Sequence, residues 1–246
     1  MKKTNYSYIG ISFIILVFGI IFVPRIVDRI SNDEITKKNR LSQTEEQGDL
    51  SDLAFIIING EPKKVPDFEF TNQNGVIITQ DDYKDKVFVA EFFFTTCPTI
   101  CPIMNTNLVQ IQEQFKNFED FGVASFTINP EYDTVEILKE YADNYGISNP
   151  NWHLMTGKEE QIYSLANSGF NLYAAIDADA EGGFEHSGYF ALIDKKGFFR
   201  SRKDDFGNPK VYYRGTITEN QRVNEDGEEE EISLLKEDIA ELLKEQ

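Results

Sequence analysis

Val87 to Pro102 reads VFVAEFFFTTCPTICP. Its first half, Val87 to Phe94, is an apolar run rich in aromatic and β-branched residues. Such a run fits a strand buried on both faces, as in a parallel sheet. It leads directly into Cys97-Pro98-Thr99-Ile100-Cys101-Pro102 and then MNTNLVQIQEQF, where Leu108, Ile111 and Phe115 fall on one helical face. The spacing predicts a helix with Pro98 as its first residue, where a missing N–H costs nothing. Both cysteines then meet the positive end of the helix dipole, which favours thiolate. A separation of four puts the two sulfurs on one helical face, with Cα atoms about 6 Å apart, inside disulfide range. The pair can therefore close a disulfide when oxidised or hold a soft ion such as Cu(I) when reduced.

Outward from this core, GVASFTI (Gly122 to Ile128) predicts a second strand and TVEILKEYADNYG a helix stopped at Gly146. KEEQIYSLANSG predicts a further helix. GYFALID and FFRSR flank Lys195-Lys196-Gly197 as a hairpin, and ISLLKEDIAELLKE closes the chain as an amphipathic helix. Upstream, LAFIII, the turn Asn59-Gly60-Glu61-Pro62 and DFEFTN form a hairpin-like start, and Asn74-Gly75 marks another tight turn. Alternating strands and helices imply a sheet with helices on both faces. There is no internal repeat.

The sequence has 246 residues, 41% of them hydrophobic, with 20 Phe and 11 Tyr, enough for a packed core. Its 24 basic and 42 acidic residues leave a net charge of −18, and no basic cluster suits nucleic acid. Glu225 to Glu231 reads EDGEEEE, a solvated acidic segment. Only two cysteines occur, four apart, which excludes a disulfide scaffold and points to a redox pair or a metal site. Near the start, YIGISFIILVFGIIFV spans Tyr8 to Val23 without a charge, close to the length of a membrane-crossing helix. No small-residue cleavage site follows it, so an uncleaved anchor is expected. The expected organisation is an anchor over 1–30 (crossing at about 5–24), a polar tether over 31–52 and a globular domain over 53–246. Lys2 and Lys3 are outweighed by Arg25, Arg29, Lys37, Lys38 and Arg40, so charge counting alone places that domain in the cytoplasm.

A metal held by two thiolates needs a further donor, and there are two histidines. His186 precedes the strand YFALID; in a thioredoxin-like sheet the loop entering that strand lies beside the cysteine helix. His153 follows Pro150 and reads as a structural group on another edge.

FFFTTCPTICP, FTINPEYDTVEILKEYADNYG and EHSGYFALIDKKG together resemble the Sco/SenC family, from about Pro66 to the C-terminal helix. The resemblance implies an α/β thioredoxin-like fold with an N-terminal β-hairpin extension behind a single transmembrane helix. It implies copper, as Cu(I) or Cu(II), held by Cys97, Cys101 and His186. It implies a chaperone rather than an enzyme, one that delivers copper to the CuA site of cytochrome c oxidase, or maintains its thiols, during assembly. The partner would be the oxidase's copper-bearing subunit or another copper or thiol client. The domain would lie outside the cytoplasm, on the periplasmic side of the cell membrane, against the charge count. Phe93, Thr99 and Asn129 stand where many members carry Gly, Asp and Asp, and Glu185 stands where Asp usually precedes the histidine. The alternative is a membrane-anchored thiol:disulfide oxidoreductase using Cys97 and Cys101 as its redox pair. Such enzymes usually carry C-x2-C and a proline beside the pair, and this chain has no proline between Pro150 and Pro209.

Overall fold

The computed structural model describes Leu16–Phe18, Phe22 and residues 53–204 and 206–245. The chain divides into two units, Met1–Asp49 and Leu50–Gln246. Leu16–Phe18 and Phe22 are helical; the rest of the expected anchor and the tether to Ser51 and Asp52 lie outside the described residues. Among the described residues, no helix is long and apolar enough to cross a membrane.

In the larger unit, short strands open the chain: Ala54–Phe55 (β1), Ile57–Ile58 (β2), Glu61–Pro62 (β3), Glu69–Asn72 (β4) and Ile77–Thr79 (β5). Then come Val87–Phe93 (β6), Cys101–Phe115 (α1), Phe121–Thr127 (β7), Val135–Tyr145 (α2) and Trp152–Thr156 (β8). Glu159–Ser164 (α3) is followed by Ala174–Ile176 (β9), Phe184–His186 (β10), Tyr189–Ile193 (β11), Phe199–Ser201 (β12), Tyr213–Arg214 (β13) and Ile232–Leu242 (α4).

Every residue of β6 and β7 is buried, as expected for strands covered on both sides. The main sheet runs β1-β12-β11-β6-β7-β8-β4-β5, with β13 paired to β11. β6, β7 and β8 are parallel, in a register that sets Glu91 beside Ser125 and Ala124 beside His153. The outer strands are antiparallel. On one face Phe92 stacks on Phe126 at 5.2 Å and Phe170 packs against both. On the other, Phe93 meets Tyr141 of α2, and α1 buries Met104, Leu108, Ile111 and Phe115.

Local chemistry accounts for the ends of α2. Thr134 caps it by accepting the Ile137 N–H, and Gly146 stops it with φ 67°.

Three expectations change. The opening segment is not one hairpin: β2 and β3 form a small ribbon, while β1 joins the edge of the main sheet beside β12. The helix expected through Gly169 is regular only to Ser164 and then widens into a π turn over Leu165–Phe170. β8, read in sequence only as the surroundings of a histidine, is a central strand, because Trp152, Leu154 and Met155 are buried there.

Candidate metal centre

Helix α1 begins at Cys101, not at Pro98. The reason lies in Pro102. A helix starting at Pro98 would need a bond from the N–H of residue 102 to the carbonyl of residue 98, and proline has no such hydrogen. Pro102 therefore sits in the first turn, and residues 94–100 form an irregular loop. Cys97 lies in that loop, with its N–H on the Phe94 carbonyl at 3.2 Å. The cysteines converge because the loop folds back: the Cys101 N–H points at Cys97 Sγ, 3.5 Å away. One helical face is not what joins them.

His186 ends β10, which pairs with β9 so that His186 lies opposite Ala174. Its Nε2 stands 3.2 Å from Cys101 Sγ. Its Nδ1 is 3.2 Å from the Ser187 carbonyl oxygen, an acceptor that selects the tautomer with the proton on Nδ1. The Nε2 lone pair is thereby free to bind, and Phe94 holds the ring edge-on at 5.9 Å. The two sulfurs and an imidazole nitrogen lie within 4.8 Å of one another. All three residues are buried, Cys97 and His186 at 8% exposure and Cys101 at 1%.

The two thiols are unequal. The hydrogen bond from Cys101 holds Cys97 far below the ordinary thiol range, helped by the Cys101 N–H and Thr99 against the opposing effect of burial. Cys101 is pushed far up, by holding the shared proton against Cys97 and by burial. A buried thiolate beside a thiol and an imidazole is a donor set for a soft metal. A cleft of about 250 Å3, bordered by Phe94, Ile100, Glu181 and Phe184, opens onto Cys97 and His186. No disulfide joins the two cysteines.

Of the residues singled out in sequence, the structure brings together Cys97, Cys101 and His186, and leaves His153 apart. On β8, His153 meets the Asn72 side-chain amide at 3.1 Å and the edge of Tyr83 at 5.8 Å, and burial lowers its pKa. Thr99 takes a part that sequence reading did not give it, with its hydroxyl 3.7 Å from Cys97 Sγ. Its position between the cysteines was the available signal.

The SCO1/SenC family profile matches residues 58–218. A SCO1 protein homolog of Bacillus subtilis is 34% identical over 138 residues, 54% of this chain and 70% of that protein. The solved structure of a SCO1/SenC family lipoprotein from Bacillus anthracis shares 28% identity at a TM-score of 0.59, covering 73% of this chain and 95% of its own. BsSco, described with a disulfide switch as a member of the Sco family of cytochrome c oxidase assembly proteins, shares 27% identity at a TM-score of 0.57, over 74% of this chain and 94% of its own. The sheet order, the helices beside it and the position of the cysteine loop are those of a thioredoxin-like α/β fold, and the chain belongs to the SCO1/SenC family.

Proposed function

We propose that this protein binds copper through Cys97, Cys101 and His186 and acts as a chaperone in cytochrome c oxidase assembly. It would deliver copper to the CuA site, or keep that site's thiols reduced. The observation that carries the reading is the convergence of two sulfurs and a free imidazole nitrogen within 4.8 Å in a buried site. That donor set suits copper in both common oxidation states: two thiolates satisfy Cu(I), and the imidazole supplies the nitrogen that Cu(II) prefers. The oxidase connection comes from BsSco, a member of a family of cytochrome c oxidase assembly proteins. The copper would be cargo, and the partner the oxidase's copper-bearing subunit or a related thiol client.

The chain would be held at the membrane by Tyr8 to Val23, with the larger unit outside the cytoplasm. An oxidising compartment there makes the Cys97/Cys101 pair a switch, since a disulfide removes both thiolates from the metal.

Purified reduced protein loaded with copper tests the reading. One copper per chain and an intense thiolate-to-Cu(II) charge-transfer band are expected, and both disappear when the pair is oxidised first. Copper uptake by the oxidised protein would place the ligands elsewhere. Disulfide-reductase turnover without copper binding would make the protein an oxidoreductase instead.

A further inference from the structure

A carboxyl that the copper reading leaves unused stands behind the cysteine loop. Asp133, in the turn after β7, has no exposed surface. Its Oδ2 accepts the Thr95 backbone N–H at 3.1 Å and the Thr127 hydroxyl, while its Oδ1 accepts the Thr95 hydroxyl. Thr127 is itself committed, because its oxygen accepts the Asn129 N–H at 3.0 Å. The Asp133 N–H bonds the Asn129 carbonyl at 2.9 Å, and the next residue, Thr134, caps α2. Both carboxylate oxygens are thus engaged, and the group that presents them is fixed by the start of a helix.

The three donors of the metal site are not held equally. Cys101 rides on α1 and His186 on β10, both regular elements. Cys97 alone sits on irregular backbone, between Thr95 and the first turn of α1. Thr95 is two residues away, and its N–H and hydroxyl both go to Asp133.

We propose that Asp133 is a positioning residue of the metal site, which by clamping Thr95 sets where the Cys97 sulfur stands relative to Cys101 and His186. The proposal rests on the copper reading for its metal but not for its geometry. Hydrogen-bond partners one step removed from a ligand commonly change metal affinity by about 10–100-fold when lost. An asparagine at 133 keeps one acceptor and turns an N–H2 toward groups that donate, so part of the clamp is lost.

The test compares Asp133→Asn, Thr95→Ser and Gly146→Ala in the full chain. Three properties are read: copper affinity with the charge-transfer spectrum, the rate of Cys97 alkylation by iodoacetamide in metal-free protein, and the melting temperature. Asp133→Asn should weaken copper binding by about tenfold or more, shift the band and change Cys97 alkylation several-fold, with Cys101 still slow. Thr95→Ser keeps both bonds and should behave as wild type. Gly146→Ala strains the far end of the same helix and should lower the melting temperature while leaving band and alkylation alone. Should Asp133→Asn fail to fold, Thr95→Val, which keeps the N–H bond and loses the hydroxyl, is read against the same expectations. The proposal is overturned if Asp133→Asn moves only the melting temperature, or if Gly146→Ala perturbs the copper spectrum equally. Wild type that binds no copper defeats the copper reading, and the alkylation rate then decides the positioning role alone.

Discussion

At the scale of single residues, the two histidines and one glutamate carry separable expectations. His186 has its Nδ1 against a carbonyl and its Nε2 against a sulfur, whereas His153 is tied to Asn72 and Tyr83 on β8. His186→Ala is therefore expected to reduce Cu(II) binding far more than Cu(I) binding, and His153→Ala to change neither; titration with each ion and the charge-transfer band report it. Control of that band by His153 would reverse the assignment. Glu91 is wholly buried in β6, with Oε1 accepting the Ser125 hydroxyl at 2.7 Å and Oε2 without a partner among the described residues. Burial pushes its carboxyl up from 4.5 to about 7, with the Ser125 bond opposing. The folded state thus holds this proton more tightly than the unfolded chain. Its contribution is fully present below about pH 4.5 and is lost as pH rises through about 7. Between pH 5 and pH 8 the wild type should lose roughly 2–3 kcal/mol that Glu91→Gln keeps, as denaturant unfolding at the two pH values would show. Parallel pH profiles for both proteins would mean that Glu91 is not strained by burial.

At the scale of elements, proline and caps decide where helices begin and end. Pro102 prevents α1 from starting at Pro98, so that Cys97 is left to a loop and must be held by tertiary bonds. α2 is specified at both ends by its own residues: Thr134 accepts the Ile137 N–H, and Gly146 adopts φ 67° while its N–H returns to Ala142 and Asp143. A Cβ at Gly146 would meet nothing within 4 Å. Gly146→Ala should therefore cost only the backbone strain of a left-handed residue, about 1 kcal/mol, and Thr134→Ala a similar amount. The two sites sit at opposite ends of the helix, so the double variant should lose about 2 kcal/mol, the sum of the two. Denaturant midpoints at constant m-value measure this, and a loss well beyond the sum would show that the caps act through each other.

At the scale of the whole molecule, the C-terminal helix buries Ile232, Leu235, Ile239 and Leu242 in the core and is tied to the strands by charged side chains as well. Arg202 of the segment after β12 bonds Asp238 and Glu237 on α4, and the Tyr213 hydroxyl of β13 donates to the same Asp238. Arg200, itself buried, pairs with buried Asp194 and with half-buried Glu245. These contacts tie the last helix to the strands that follow the histidine. The proposed membrane anchor raises a question of orientation at this scale too, and here two arguments oppose each other. Arg25, Arg29, Lys37, Lys38 and Arg40 favour a cytoplasmic domain; a disulfide-capable copper site favours the outside. We expect the second to prevail, so an alkaline phosphatase fused after Asp52 should be active. An inactive fusion together with a fluorescent cytoplasmic reporter at the same point would place the domain inside.

The sequence by itself determined whatever depends on neighbours along the chain. The buried strand Val87–Phe93, the apolar face of α1, both ends of α2 and the turn at Gly197 between β11 and β12 follow from residue type and spacing over a few positions. Those are local steric and hydrogen-bonding preferences, and they hold before any tertiary contact forms. The motifs also carried the family resemblance, which the profile over residues 58–218 bears out. The resemblance named Cys97, Cys101 and His186 together, but how closely distant groups meet is decided by the tertiary structure. Cys101 and His186 are 85 positions apart, and nothing along the chain sets a 3.2 Å approach between them. The same holds for Asp133 reaching back 38 positions to Thr95, for β1 joining β12, and for Glu91 losing all contact with water. Each of these follows from strand order and register, and these emerge only when the apolar faces of the sheet and its helices are buried together.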